Sequence, residues 1–349
     1  MKIFGFAIAL AALAVVSIST FRAVEWTKHD PKTRNDFTKV VVYASSSFVN
    51  KYGPAEELKV LFEPQCQCRL EFVDVGGGNM LLQRLQLQPA TRVDVVLGLD
   101  LLMLKQADDM HVWKNLKFNA PVMDKRVEPY RFATYMAYNW SPVTIIYDQK
   151  NKTIADAAEK HNETLSDFLN HIPNKSLAIP DPRLSSLGQQ FLFWSFSETG
   201  GWSELITIAK NKIHSLSSGW SQSYGLFTNG QAQSALSYVT SLVYHQDEEK
   251  DFSKKALSLK SGHPIQVEYG AVSSKCVTCD FGQQFLAFLI SEPAQKILMK
   301  KNYMYPVMSG AIAGTTYEKL PDVKVAGRES MDDFTTKWNV LLDQWNALW

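Results

Sequence analysis

Apolar and polar positions change period repeatedly along the first hundred ordered-looking residues. Val40-Val41-Val42-Tyr43 is a short β-branched run that stops at Ala44-Ser45-Ser46-Ser47, as a strand does when it opens into a loop. Gly53-Pro54 punctuates the chain, and Ala55–Phe62 predicts a helix with Leu58, Val60, Leu61 and Phe62 as its apolar positions. Leu70-Glu71-Phe72-Val73 predicts a second strand. After Gly76-Gly77-Gly78-Asn79, the leucines at 81, 82, 85 and 87 predict an amphipathic helix, and Val93–Leu97 predicts a third strand. Strand, helix, strand, helix, strand within about 60 residues implies parallel βαβ units.

The pattern then lengthens. Tyr135–Tyr147 is a long apolar and aromatic stretch ending at Asp148, long enough to pass from one domain to another. Helical signals follow at Ile154–Ala158 and Ser166–Ile172. Leu177-Ala178-Ile179 predicts a strand running into Pro180-Asp181-Pro182-Arg183. Helical spacing returns from Gly188 to Phe196 and from Leu205 to Ile213, and Ala235–Val243 predicts a strand. Ile265–Ala271 alternates and is placed to cross back, and Phe281–Ile290 predicts a helix. Two crossings make both lobes discontinuous, with a two-strand hinge. Phe334, Trp338, Leu341, Trp345 and Leu348 fall on one face of a C-terminal helix, a packing stripe rather than a ligand box.

A length of 349 residues suits two domains with sizeable cores, and an apolar fraction of 46% excludes a disordered chain. The 36 Lys and Arg balance 35 Asp and Glu, which argues against a nucleic-acid partner. Met1-Lys2, the apolar run Ile3–Ile18 and Ser19-Thr20 form a signal-peptide pattern over residues 1–19, with Ser17-Ile18-Ser19 as a cleavage site. The run is short for a membrane anchor. An exported, soluble mature protein is expected. The chain holds 19 Phe, 13 Tyr and 9 Trp; most aromatics fill cores, and a few are candidates for a ligand.

Chemistry is harder to find. Cys66-x-Cys68 and Cys276-x-x-Cys279 suit structural thiols or local disulfides, with a redox pair or a metal site as alternatives. The seven His are scattered, without a metal-ligand spacing. Gly219-Trp220-Ser221-Gln222-Ser223 lacks the second Gly of a nucleophile elbow. Gly76-Gly77-Gly78 is either an anion nest or a tight turn into the next helix. Asp181-Pro182-Arg183-Leu184-Ser185-Ser186-Leu187-Gly188, between a strand and a helix, is either an anion-binding helix start or an ordinary N-cap at Ser185 or Ser186. No carboxylate pair stands out as an acid–base couple, so no enzyme activity is expected.

Several segments in order resemble the periplasmic thiamine-binding proteins of bacterial ABC importers. They are Asp94–Asp100, the Asp181–Gly188 stretch, Gly219-Trp220-Ser221-Gln222-Ser223-Tyr224-Gly225-Leu226-Phe227, Ser237–His245 and Asn302-Tyr303-Met304-Tyr305-Pro306-Val307, with Cys66-Gln67-Cys68 and Gly262–Glu268. The resemblance runs from about residue 40 to about residue 308. It implies an α/β fold of the two-lobe periplasmic-binding-protein type (class II), with a ligand cleft between the lobes. Residues 38–138 plus 268–349 would form lobe 1 and residues 139–267 lobe 2. It further implies a periplasmic monomer that captures thiamine or its mono- or diphosphate and delivers it to an inner-membrane ABC permease, with no cofactor or metal. The alternatives are a same-fold receptor for another small cationic or phosphorylated solute and an exported thiol oxidoreductase.

Carried over by position, Trp220, Tyr238 and Tyr244 match the family's ligand-contacting aromatics and Ser185 its phosphate-contacting serine; Ser186 and Gly188 share that helix start. Tyr303 and Tyr52 stand where the family has Trp, and Ser46 lies on the facing loop. Two departures follow from the same comparison. Ser45-Ser46-Ser47-Phe48 replaces Tyr-Asp-Ser-Phe, and Gly77 replaces an Asp, so two acids are missing. A cation would then have to be held mainly by aromatic faces, or the ligand would carry phosphate.

Overall fold

The computed structural model describes residues 38–349 except 90, 120 and 201–203; the expected signal segment at 1–19 lies outside the described residues. The strands are β1 (Thr38–Ala44), β2 (Cys68–Asp74), β3 (Val95–Asp100), β4 (Trp113–Lys114), β5 (Met136–Asp148), β6 (Leu177–Pro180), β7 (Ile213–Ser217), β8 (Ser234–Tyr238), β9 (Lys254–Ala256), β10 (Ile265–Ser273) and β11 (Tyr305–Pro306). The main path of the sheet is β2-β1-β3-β10-β5-β8-β6-β7. β1 pairs in parallel with β2 and β3, as the βαβ pattern requires, and is buried from Val40 onward. The parallel set β8-β6-β7 is its counterpart at the other end.

Two antiparallel strands join the halves. The first part of β5, Met136–Pro142, pairs with β10, and the rest, from Val143 to Tyr147, pairs with β8. The exchange of partners falls at Pro142, whose ring nitrogen has no hydrogen to give a ladder. Val143 N–H bonds Pro264 O at 2.8 Å, fastening the start of β10 to the same point. This is the two-strand hinge of a two-lobe α/β fold. His263 is built into it: Nδ1–H donates to Val143 O (2.9 Å), Nε2 accepts from Leu259 N (2.8 Å), and the ring lies against Trp194.

Two elements differ from expectation. The strand anticipated over Ala235–Val243 is β8 ending at Tyr238, followed by the helix Ser241–Asp247. Leu242 and Val243 are buried either way, and a short apolar run does not distinguish helix from strand. The C-terminal helix Met331–Leu348, assigned above to lobe 1, packs on lobe 2. Phe334 meets Phe193 and Phe196 edge-on at 5.2 and 5.6 Å, and Leu341 and Trp345 join the cluster around Phe168, Phe191 and Trp194. The helix's apolar stripe found its complement on the helix Ser186–Thr199, which is buried on nearly every side. Both cysteine pairs, Cys66–Cys68 and Cys276–Cys279, are disulfides.

Candidate functional site

The cleft is assembled from loops and helix ends at the seam between the lobes. From lobe 1 come the turn Ser47–Gly53 and the segment Lys300–Met304; from lobe 2, the helix Trp220–Thr228, the end of β8 and the helix Ser241–Asp247 with Glu248 and Glu249 after it. Glu268 on β10 forms part of the wall beside the hinge. Together they enclose a cavity of about 800 Å³, ample for a small molecule. A second hollow of about 540 Å³, lined by Leu116, Phe118, Arg131, Phe132 and Tyr135 among others, lies wholly on lobe 1 and collects none of the anticipated residues.

Six aromatic side chains line the cleft: Tyr52, Trp220, Tyr224, Tyr238, Tyr244 and Tyr303. Each is fixed differently. Trp220 stacks on Tyr224 (centroids 5.2 Å, 18° between planes), and its indole N–H donates to Ser237 Oγ at 2.8 Å. Ser237 in turn bonds Ser241 at 2.7 Å. Tyr224 OH meets His245 Nε2 at 2.8 Å, and His245 Nδ1 meets Glu249 Oε2 at 2.6 Å, a relay that runs from the buried His245 to an exposed carboxylate and holds the aromatic platform. Tyr303 caps the helix Glu292–Asn302 in the left-handed region (φ 48°) and lies edge-on to Tyr244 at 5.6 Å. That contact joins lobe 1 to lobe 2. Tyr52 is 71% exposed at the rim, where Asn50 Oδ1 accepts from its backbone N–H.

The wall is acidic. Glu248, Glu249 and Glu268 line it together with Lys300 and Lys301, and Lys301 is already paired with Glu57 at 2.9 Å. Burial raises the Glu268 carboxyl; hydrogen-bonding groups of Asn139, Tyr138, Asn302 and Gln266 oppose the rise, with Asn302 Nδ2 at 3.3 Å. Burial and the neighbouring Glu268 and Asp100 push the Tyr238 hydroxyl well up. Tyr303 is pushed up to about 12, by burial first and then by the charge of Glu248. Burial, the first cause of each rise, disfavours charge of either sign; only the smaller contributions of neighbouring carboxylates at Tyr238 and Tyr303 disfavour negative charge in particular.

The expectation that a cation would be held mainly by aromatic faces takes in carboxylates as well. The family's two acids are absent at 46 and 77, but Glu248, Glu249 and Glu268 supply carboxylates from lobe 2 and the hinge. Glu268 closes the Gly262–Glu268 segment and Tyr224 lies within Gly219–Phe227, so both sat inside noticed motifs. Glu248 and Glu249 belong to an acidic run that carried no sequence signal of its own.

Of the anticipated residues, Tyr52, Trp220, Tyr238, Tyr244 and Tyr303 meet in the cleft. Ser46, Ser185, Ser186 and Gly188 do not line it. Ser46 Oγ donates to Asp74 at 2.7 Å. Ser185 is the N-cap of the helix Ser186–Thr199 but makes no capping side-chain bond, so its hydroxyl is not used as an ordinary cap. Gly188 is packed so tightly that a Cβ would lie 2.5 Å from Pro180 O. The helix start does meet the other lobe: a Cβ on Gly77 would lie 2.4 Å from Leu184 O, and one on Gly78 would lie 3.6 Å from Ser186 Oγ. The glycine run is therefore a close-approach turn against the Asp181–Gly188 loop. The missing Asp at 77 has a steric reason.

A two-lobe α/β receptor, hinged on two strands and holding an aromatic and acidic cleft, is the architecture of a solute-binding protein. The family model for bacterial extracellular solute-binding proteins matches residues 40–303, and the chain belongs to that family. It is similar to the thiamine-binding periplasmic protein of Brucella melitensis biotype 1 (30% identity, 81% of each chain). It is also similar to that of Escherichia coli K12 (30% identity, 80% of this chain and 84% of the relative). Among solved structures, a periplasmic thiamin binding protein superposes with a TM-score of 0.76 at 26% identity, over 90% of this chain and 99% of the other.

Proposed function

We propose that this protein captures thiamine, or thiamine mono- or diphosphate, in the periplasm and delivers it to an ABC permease as a binding protein without catalytic activity. One observation carries the reading: six aromatic faces and three glutamates converge on a single cleft at the hinge. Thiamine pairs a permanently cationic thiazolium with a flat aminopyrimidine. A Trp or Tyr face attracts such a cation by about 0.5–2 kcal/mol, and a nearby carboxylate adds to that in a partly dry site. The relatives' names point the same way. Tyr52, Trp220, Tyr238, Tyr244 and Tyr303 are assigned to the ring system. Ser185 and Ser186, at a helix start facing Gly78, lie outside this cleft and are given no ligand role in this reading.

The test is titration of the mature protein with thiamine, its two phosphates and choline, followed by Trp fluorescence and calorimetry. Saturable one-to-one binding of a thiamine form, tighter than choline, is expected. Absence of heat and of fluorescence change with every thiamine form overturns the assignment.

A further inference from the structure

Lobe 2 carries a side-chain cluster that the cleft does not use. His161 caps the C-terminus of the helix Lys152–Lys160, and His171 closes the next helix, Leu165–His171, whose first turn holds Asp167. Thr164 turns the chain between them, its hydroxyl accepting from Asp167 N at 3.1 Å. The two histidines are ten positions apart, and only this corner brings them together. His161 Nδ1 is 3.3 Å and His171 Nδ1 is 3.5 Å from the same oxygen, Asp167 Oδ1. The two imidazoles lie face to face, with centroids 3.2 Å apart and planes within 5°. All three donors fall within 4.8 Å of one another.

These spacings have a chemical meaning. Bonds of 2.0–2.1 Å to a tetrahedral centre put neighbouring ligands about 3.3–3.4 Å apart, which is where the two nitrogens stand from the carboxylate oxygen. His171 Nδ1 is also 2.8 Å from the Asp167 carbonyl oxygen. Coordination exchanges that bond for a metal bond, moves the proton to Nε2 of an exposed ring, where water accepts it, and turns one imidazole out of the parallel stack so that both nitrogen lone pairs meet one centre. Two nitrogens and one carboxylate suit zinc and its neighbours and do not suit calcium or magnesium, which want oxygen.

We propose that His161, Asp167 and His171 form an open three-ligand site for a zinc-class divalent cation, with the fourth position left to water. Bound there, the ion staples the end of one helix to the next across the 162–164 turn.

Calorimetric titration of the untagged mature protein with ZnCl2 tests this. One equivalent per chain is expected, with a raised melting temperature, and binding at least 10-fold weaker in each of His161→Ala and His171→Ala. Far-UV circular dichroism in EDTA checks that these variants fold. Solute titrations should be unchanged in them, because none of the three residues lines the cleft. As a measurement on the native chain, Co2+ should give the intense visible bands of a four-coordinate site, lost in Asp167→Asn. Zinc binding that persists in the double His variant, or a Co2+ spectrum like that of the aqueous ion, overturns the site.

Discussion

Asp100 of β3 and Glu268 of β10 are partners across an antiparallel ladder, so two carboxyl groups share the seam where the lobes meet. Asp100 is buried, accepts from Leu102 N at 2.7 Å, and receives Gln190 Nε2 from lobe 2 at 3.2 Å. Burial raises it to about 7, and the charge of Glu268 adds to the rise. The residue thus reports on the hinge: it touches one lobe through its backbone and the other through Gln190.

That arrangement predicts a pH dependence with a definite sign. A carboxyl whose folded pKa exceeds its unfolded value binds more protons folded than unfolded between the two. Its stabilising contribution is present at low pH and is lost as pH rises from about 4 through about 7. The loss is of order 2–4 kcal/mol. Asp100→Asn keeps an acceptor for Leu102 N and removes the charge. Denaturant unfolding of both proteins from pH 4 to pH 8 should show the variant gaining on the wild type as pH rises. Parallel curves would show that Asp100 ionises freely in the fold.

The aromatic platform and the acids make separable contributions to ligand capture. Trp220→Ala removes the stacked face over Tyr224 and frees Ser237, and should weaken a thiamine-type cation by about 10- to 100-fold. Glu268→Gln keeps the shape of the wall and should weaken the cation less, by about 3- to 10-fold, with a smaller loss for a phosphorylated ligand whose own charge is negative. Calorimetric Kd values for the two variants against the wild type decide between aromatic and carboxylate recognition. Equal binding by all three proteins would place the solute elsewhere.

Much of this site was legible before the structure, and the remainder failed for physical reasons. Periodicity identified the two crossing strands: Tyr135–Tyr147 is buried on both faces and reads as a long apolar run, and Ile265–Ala271 alternates. Position-by-position likeness placed Trp220, Tyr238 and Tyr303 in one cleft. Glu248 and Glu249 could not be found that way. A charged pair after a helix usually points to solvent; these two are exposed, and they line the cleft only because the fold brings Tyr244 of their helix against Tyr303. The last helix was misplaced for a related reason. Its stripe showed that it packs, and the identity of its partner, Phe193 and Phe196 on another lobe, is not encoded in the stripe.

Gly77 tests the steric reading of the glycine turn. With a Cβ only 2.4 Å from the Leu184 carbonyl, any side chain there must push the two loops apart. Gly77→Asp should therefore hold the lobes further open and weaken capture at least 10-fold, despite adding an acid near a cation site. Small-angle scattering with and without saturating solute provides the check. The wild type should contract on binding and the variant should contract less. A variant that closes fully would show that the loop Asp181–Gly188 yields easily and that the glycine is not required.

His263 gives the opposite pH sign at the same hinge. Its ring is fully buried and its two nitrogens are committed, one donating to Val143 O and one accepting from Leu259 N. Burial lowers its pKa from 6.5 to about 4, with the Val143 bond opposing the shift. Between those values the unfolded chain takes up a proton that the folded chain refuses, so stability falls as pH drops from about 6.5 to about 4 and levels off below. The loss is on the order of 3 kcal/mol. Asp100 pulls the other way over an overlapping range, which would mask the effect in the wild type. His263→Gln should therefore be compared with its parent in the Asp100→Asn background. The substitution costs stability at pH 7.5 through lost packing against Trp194. The gap between variant and parent should then narrow steadily as pH is lowered to 4.5. A gap that stays constant would mean that His263 accepts its proton within the fold and that the hinge tolerates a charged ring.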